Sequence, residues 1–177
     1  LIPPMLYVGI GNTAYRTSEY NMGIFTDLWG GAQTGTVDQY AQFIIMELMP
    51  YIQSNYRVLS GPDNTGILGA SYGGMAALYL AWNHPDIFGK AACLSNALGQ
   101  LAGAGLWSDM PLFAEIRNYT GSVKPVRLWI SSGDAEAGSG YDPDRNGVSA
   151  FAEWNADLTA VLCAKGWTYG SDLLCDI

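Results

Sequence analysis

The stretch Gly69–Gly73, which reads Gly-Ala-Ser-Tyr-Gly, contains the residues of this chain best suited to covalent chemistry. A serine hydroxyl acts as a nucleophile when a base lies within reach and backbone N–H groups face the carbonyl oxygen under attack. Gly-x-Ser-x-Gly allows this in a tight strand-to-helix turn, where side chains two residues before and after the serine would collide with neighbouring backbone. Tyr72 N–H would then start the helix, where negative charge is favoured. Ser71 is the predicted nucleophile, and Tyr72 is the predicted oxyanion donor.

The sequence changes character at Ser71. Thr65–Ala70 is a short apolar run typical of a buried strand, and Tyr72–Trp82 is rich in alanine, leucine and methionine, which favour a helix. A chain with 22 glycines can contain Gly-x-Ser-x-Gly by chance. The change from strand to helix is the context that the motif requires, and it favours the catalytic interpretation.

A serine nucleophile also needs a base, usually histidine, and a carboxylate that orients the base. In the α/β-hydrolase order the acid follows the serine and precedes the histidine. Asp134 and Glu136 come shortly after Val126–Ser131, an apolar run typical of a late strand. Glu136, three residues after Gly133, is slightly favoured over the shorter Asp134. The alternative is that both are solvated loop carboxylates.

The chain has one histidine, His84, and its position in the sequence does not suit a catalytic base. It precedes the candidate acids and follows Ser71 by 13 residues, which on one helix corresponds to about 20 Å. Hydrogen-bond reach is about 3 Å, so His84 is predicted to have a structural role at a helix end. The base either lies beyond Ile177 or is absent, and the end of the chain within a strand-like run favours the first alternative.

A second candidate site is acidic. The calcium-loop pattern Asp-x-Asp-x-Asn-Gly-x5-Glu is matched by Asp142, Asp144, Asn146 and Glu153. Their oxygens could converge on a calcium ion, but Ser149 stands where such loops usually have an aliphatic residue, and no helix is predicted to enter the loop. An acidic turn that caps the next helix is the simpler interpretation. Apart from this possible structural calcium, no cofactor is required.

Composition limits the classes of function. The 177 residues are enough for one domain, and no uncharged apolar run approaches the ~18 residues of a membrane span, which predicts a soluble protein. The net charge of −8 argues against nucleic acid and anionic membranes as partners and favours a small neutral or cationic substrate. Nothing in the sequence indicates the cellular location.

The three cysteines have no metal-ligand spacing, and an odd number cannot be fully paired within one chain. Cys93 and Cys163 lie in apolar runs and are predicted to be small core residues. The redox compartment is left open.

Alternating strand and helix patterns predict a parallel sheet covered by helices on both faces. Further strands are predicted at Met5–Ile10, Lys90–Ser95, Val126–Ser131 and Asp172–Ile177. Further helices are predicted at Thr36–Asn55, Met110–Tyr119 and Val148–Lys165. In the first of these helices, Thr36 and Gln39 would form a capping box and Pro50 would produce a kink.

Long connections in compact domains often border a site. Thr13–Gly35 is such a connection and carries Arg16 and Trp29, and Trp107 lies in a glycine-containing segment after the third predicted strand. These three residues, together with Tyr72, are candidates for lining a substrate pocket. Ordinary packing is the alternative role for each.

The chain resembles the putative esterase family of α/β-hydrolases, which includes esterase D-like, feruloyl-esterase-like and enterochelin-esterase-like proteins. The resemblance covers nearly all 177 residues. It is carried by LIPPMLYVGI with the following Arg16-Thr-Ser-Glu19-Tyr20, by FIIMELMPYIQSNYR, by TGILGASYGGMAALYLAWNHPDIFGKAACLS and by LWISSGDAE. It implies a three-layer α/β sandwich with a mainly parallel sheet, and a serine hydrolase of small carboxylic esters with Ser71 as nucleophile and Tyr72 N–H in the oxyanion hole.

Family members also carry an earlier strand with a His-Gly loop and a C-terminal Gly-His segment. Both would fall outside residues 1–177, so the resemblance implies a single domain that is incomplete at both ends and has little or no turnover by itself. The alternative is a non-catalytic binding domain on the same fold, with the Asp142–Glu153 loop as its calcium-dependent feature, because a fold does not fix a function. Acyl transfer to an alcohol would use the same residues as hydrolysis.

Overall fold

The computed structural model describes residues 4–26, 31–97, 110–133 and 149–176. The helices are α1 (Arg16–Glu19), α2 (Val37–Phe43), α3 (Met49–Asn55), α4 (Tyr72–Asn83), α5 (Pro111–Asn118) and α6 (Ala150–Ala164). A π-helical segment (Ile44–Leu48) joins α2 to α3. The strands are β1 (Ile24–Thr26), β2 (Ala32–Thr34), β3 (Gly66–Ala70), β4 (Lys90–Leu94), β5 (Arg127–Ser131) and β6 (Leu173–Asp176).

Four parallel strands in the order β3-β4-β5-β6 form the main sheet. These four strands confirm four of the predicted apolar runs, and α4, α5 and α6 confirm three of the predicted helices. The α/β class with a parallel sheet is therefore confirmed. β1 and β2 form a separate antiparallel pair within the connection that the sequence predicts as a loop.

The two faces of the main sheet differ in exposure, because successive residues of a strand point to opposite faces. One in-register row packs against the helices and consists of Ile67, Ala91, Leu128 and Leu173. The adjacent row consists of Leu68, Ala92, Trp129 and Leu174. In that row Leu68 is 68% exposed and Trp129 is 49% exposed. Within the described residues, helices therefore cover one face of the sheet.

The long helix predicted over Thr36–Asn55 is present but differs in two details. Thr36 makes no side-chain hydrogen bond to the start of α2, so the predicted capping box is wrong. A kink is expected at Pro50. The helix departs from α geometry just before this residue, in the π-helical segment. Because proline has no N–H, the Met46 carbonyl lacks its α-helical donor, and the turn that contains this carbonyl is wider.

The strand predicted at Met5–Ile10 is wrong for the described structure. The segment has no regular secondary structure, and Tyr7 is 80% exposed. None of the described strands pairs with it. An apolar run becomes a strand only when a neighbour accepts its ladder hydrogen bonds, and sequence pattern does not supply that neighbour.

α4 packs against β3 and β4, and its residues from Gly74 to Trp82 are all buried. Cys93 lies in this core as predicted, and burial raises the pKa of its thiol to about 12. Cys163 is exposed, so its predicted core position is wrong. It follows the buried Leu162 by one residue, which turns it about 100° around α6 toward solvent. Among the described helices, none is both long and apolar enough to cross a membrane.

A hydrogen bond joins α4 to α2: the Tyr79 hydroxyl donates to the Asp38 carboxylate. We expect Tyr79→Phe to lower the free energy of unfolding by about 1 kcal/mol, because one hydrogen bond to a carboxylate that water can still reach is lost. Urea titration at neutral pH measures this change. An unchanged free energy would show that the bond adds nothing to stability.

The same variant carries a pH test. Burial, followed by the hydrogen bond to Asp38, raises the pKa of Tyr79 above its ordinary value of 10.0. An unfolded tyrosine ionises near that value while the folded one stays protonated, so this contribution to stability is present below pH 10.0 and is lost above it. Burial also raises the pKa of Tyr40, so both proteins should weaken in alkali, the wild type more steeply than Tyr79→Phe. If the free energy of unfolding fell equally steeply with pH in both proteins, the raised pKa of Tyr79 would be contradicted.

Candidate active site

Ser71 joins β3 to α4 with φ 57° and ψ −126°. Positive φ is uncommon for a residue with a side chain, and this ψ lies outside the left-handed helical region that such residues usually adopt. Backbone strain of this kind costs on the order of 1–3 kcal/mol and clusters at functional sites. The structure therefore places Ser71 at the strand-to-helix junction that the sequence pattern predicts.

Gly69 is required by close packing in this turn. A Cβ atom at Gly69 would lie 2.1 Å from the Gly73 carbonyl oxygen, which is a backbone atom of α4. Gly73 differs, because a Cβ atom there would meet nothing within 4 Å. The sequence argument that both glycines of the motif avoid collisions is therefore confirmed for Gly69 and wrong for Gly73.

Gly74, just outside the five-residue motif, is a second position in this turn where a side chain does not fit. A Cβ atom there would lie 2.5 Å from Asn96 Oδ1 and 2.8 Å from the Leu94 carbonyl oxygen. Asn96 is fully buried directly beside this glycine. Sequence reasoning missed both residues. The available signals are a second glycine directly after Gly73 and an amide side chain shortly after an apolar strand.

Backbone hydrogen bonds hold the carboxyl ends of three strands together beside Ser71. Ser71 N–H donates to the Leu94 carbonyl at 2.9 Å, and Ser95 N–H donates to the Ser131 carbonyl at 2.6 Å. Neighbouring strands lie about 4.8 Å apart, so the end of β5 is about 10 Å from Ser71. Residues that follow β5 therefore emerge at the sheet edge that carries Ser71.

The candidate acids Asp134 and Glu136 come soon after β5 in the sequence, but both lie outside the described residues. Trp29 and Trp107, two candidate pocket residues, also lie outside them. The structure gives the point where the chain leaves β5, with Ser132 buried and Gly133 exposed. The roles of these four side chains stay predictions.

Arg16 and Tyr72, the other two candidate pocket residues, are brought together. The Arg16 guanidinium carbon lies 5.4 Å from the centre of the Tyr72 ring and 6.0 Å from that of Tyr20. Both rings are buried, and Arg16 is half-buried at the start of α1. A cation that faces aromatic rings at this distance is attracted by their π electrons. α1 thus places a positive charge next to the residue that follows Ser71.

His84 lies at the opposite end of α4 from Ser71. Its N–H donates to the Leu80 carbonyl at 2.9 Å, and its own carbonyl accepts from Ile87 N–H at 3.0 Å and Phe88 N–H at 2.9 Å. The 12 residues of α4 span about 18 Å, which is far beyond hydrogen-bond reach. The predicted position of His84, at the end of the helix and out of reach of Ser71, is confirmed.

A groove of about 440 Å³ runs between the extended segment Leu6–Ile10 and β3. Its lining includes Gly69, Ala70 and Gly73 but not Ser71. In the described structure the groove therefore follows the edge strand β3, and Ser71 is not among its lining residues. It is not assigned as the ester pocket.

The predicted calcium loop falls mostly outside the described residues, since Asp142, Asp144 and Asn146 lie there. Glu153 lies in the first turn of α6, where the Ser149 side chain accepts a hydrogen bond from Phe151 N–H at 3.3 Å. In the part of the chain that the structure describes, no group of three or more histidine, cysteine or acidic residues could hold a metal ion. Calcium binding stays a prediction.

Comparison with known sequences matches residues 18–141 to a family described as putative esterase. The match includes β3, Ser71 and α4. A relative from Bacillus subtilis (strain 168), the uncharacterised protein YbbA, is 30% identical over 144 residues, which are 76% of this chain and 51% of the relative. The chain thus spans about half the length of this relative.

Solved structures show the same fold at low sequence identity. The enterobactin esterase FES from Shigella flexneri has a TM-score of 0.63 at 16% identity, over 94% of this chain and 36% of its own. An IroE-like serine hydrolase from Shewanella oneidensis has a TM-score of 0.62 at 20% identity, over 93% of this chain and 49% of its own. A ferulic acid esterase from Anaeromyces mucronatus has a TM-score of 0.57 at 19% identity, over 78% of this chain and 45% of its own.

Proposed function

Since this chain belongs to the putative esterase family, we propose that it is the Ser71-containing part of a serine hydrolase that cleaves carboxylic esters through an acyl-enzyme intermediate. The single observation that carries the serine mechanism is the backbone of Ser71, with φ 57° and ψ −126° at the junction of β3 and α4. These angles support the proposal that Ser71 forms the nucleophile elbow that the Gly-x-Ser-x-Gly motif builds in α/β-hydrolases. A strained serine at a sheet edge is expected where its hydroxyl has to be presented.

In the proposed first step, Ser71 Oγ attacks the ester carbonyl carbon, and its proton passes to a base. The carbonyl oxygen becomes an oxyanion, and Tyr72 N–H, the first amide of α4, donates to it at the positive end of the helix dipole. The alcohol then leaves with a proton from the base, and the acyl group remains on Ser71. Water attacks this ester in the second step and releases the acid.

The proposed base is a histidine outside residues 1–177, because His84 lies at the far end of α4. Glu136, or alternatively Asp134, would orient it. This arrangement is compatible with the sheet, since the end of β5 lies two strands from Ser71 and a histidine ring between them would bridge the gap of about 10 Å. An alcohol in place of water in the second step would make the protein an acyltransferase, which product analysis would reveal.

A fluorophosphonate probe tests this proposal. The polypeptide expressed from its complete reading frame should be labelled at Ser71, because the probe phosphonylates serines that a neighbouring base activates. Peptide mass mapping should find the label on the peptide that contains Ser71 and not on the peptide that contains Ser95, which among the described serines also has a positive φ. No label at Ser71 with the folded protein, as judged by circular dichroism, would refute the serine mechanism.

A further inference from the structure

Arg16 is a positive charge that no described carboxylate neutralises. The chain has 16 acidic and 8 basic residues, so acidic partners are in excess. Even so, Arg16 forms no ion pair within the described parts of the chain, where its guanidinium lies over the rings of Tyr20 and Tyr72. Its nearest acidic neighbour in α1, Glu19, accepts hydrogen bonds from Thr13 Oγ1 at 2.6 Å and Thr13 N–H at 3.2 Å.

Within the described residues, the Arg16 guanidinium lies over two tyrosine rings, and no hydrogen bond from its N–H groups is found there. The two tyrosine rings are buried, and Tyr20 is in turn packed against Tyr40 with ring centres 4.9 Å apart. Contact with ring faces satisfies the charge in part but does not accept the N–H groups in hydrogen bonds of normal strength. A planar guanidinium with free N–H groups matches the two oxygens of a carboxylate.

Arg16 also lies close to the proposed nucleophile. The Arg16 guanidinium carbon is 5.4 Å from the ring of Tyr72, and Tyr72 is bonded directly to Ser71. The net charge of −8 repels anions at long range, but salt reduces that repulsion beyond a screening length of about 8–10 Å. A half-buried guanidinium acts at contact distance, where screening is weak. The local positive charge of Arg16 therefore favours an anionic substrate group, even though the net charge of −8 suggests a neutral or cationic substrate.

We propose that Arg16 binds an ionised carboxyl group of the substrate, so that the preferred substrates are esters that carry a second, free carboxylate. This inference rests on the proposed esterase function, because only that function makes the substrate an ester. It adds the substrate class and gives Arg16 the role of a specificity-determining residue. The carboxylate accepts hydrogen bonds from the guanidinium while the scissile ester lies at Ser71.

Binding to a non-reactive protein tests the inference apart from catalysis. In the complete polypeptide with Ser71→Ala, calorimetry should show that monomethyl glutarate binds at least about tenfold more tightly than dimethyl glutarate, since a charge-assisted bidentate contact is lost with the second methyl ester. Adding Arg16→Gln should remove this preference, and Arg16→Lys should retain part of it, because lysine keeps the charge without the planar pair of donors. The matched control is Arg117→Gln, since Arg117 also faces an aromatic ring, that of Phe113 at 5.9 Å, but lies on α5.

Each result decides one question. Equal binding of the two glutarates, or a preference that survives Arg16→Gln, would overturn the role of Arg16. A preference that disappears in Arg117→Gln as well would also overturn it, because the effect would then be a general one of charge. A preference that depends on Arg16, in a protein whose unaltered Ser71 form hydrolyses neither ester, would support the carboxylate site and refute the proposed esterase function.

Discussion

Ser71→Ala, made in the polypeptide expressed from its complete reading frame, is expected to lower kcat/KM for 4-nitrophenyl butyrate by a factor on the order of 10⁴ to 10⁶. The hydroxyl oxygen at position 71 forms the bond to the acyl carbon in the proposed mechanism, so its removal leaves only substrate binding and oxyanion stabilisation. Initial rates of nitrophenolate release measure the change. Alanine has the same Cβ atom as serine, so the strained backbone at φ 57° and the fold should be preserved.

Ser95→Ala is the matched control for this experiment. Ser95 also has a positive φ, 47°, and directly follows β4 at the same edge of the sheet. It is not placed in the proposed mechanism, so its variant should keep most of the activity. If Ser71→Ala kept the wild-type rate, or if Ser95→Ala lost as much, Ser71 would not be the nucleophile.

Gly69→Ala is expected to have the largest effect on stability, at least about 3 kcal/mol of the free energy of unfolding. The new methyl group would lie 2.1 Å from the Gly73 carbonyl oxygen and 2.3 Å from the Gly73 carbonyl carbon. Relief requires that β3 and the first turn of α4 move apart. Since whole domains are stable by only about 5–15 kcal/mol, such a change can remove most of the stability. Thermal and urea unfolding followed by circular dichroism measure it.

Gly73→Ala distinguishes this steric effect from a general sensitivity of the motif. A methyl group at Gly73 meets no atom within 4 Å, and the residue lies in α4 with ordinary backbone angles. Alanine in a helix is favoured over glycine by about 0.5–1 kcal/mol, so this variant should be as stable as the wild type or slightly more stable. Equal destabilisation by the two alanines would show that the close approach at Gly69 is not what the motif requires.

Local pattern was sufficient for the elements whose signal is contained in a few consecutive residues. The apolar runs that became β4, β5 and β6, and the helix that begins after Ser71, depend on strand and helix preferences that neighbouring residues reinforce. The position of the proposed nucleophile could be predicted for the same reason, because a strand, a glycine and a helix in sequence already define the turn.

Features that depend on distant neighbours could not be predicted. Nothing in the motif shows that Asn96 and the Leu94 carbonyl approach Gly74, because these residues meet only when β4 pairs with β3. The contact of Arg16 with Tyr72 joins residues far apart in the chain. The apolar segment Met5–Ile10 has strand composition, but in the described structure it has no strand to pair with.

The torsion angles of Ser71 also bear on attempts to make this protein more robust. Glycine adopts a positive φ with little steric cost, whereas serine keeps strain on the order of 1–3 kcal/mol at φ 57° and ψ −126°. A thermostability screen that ranks substitutions by folding energy alone would therefore choose glycine at position 71. Such a protein would melt at a higher temperature and would have lost the atom on which the proposed chemistry depends, so engineering of this chain has to hold position 71 fixed.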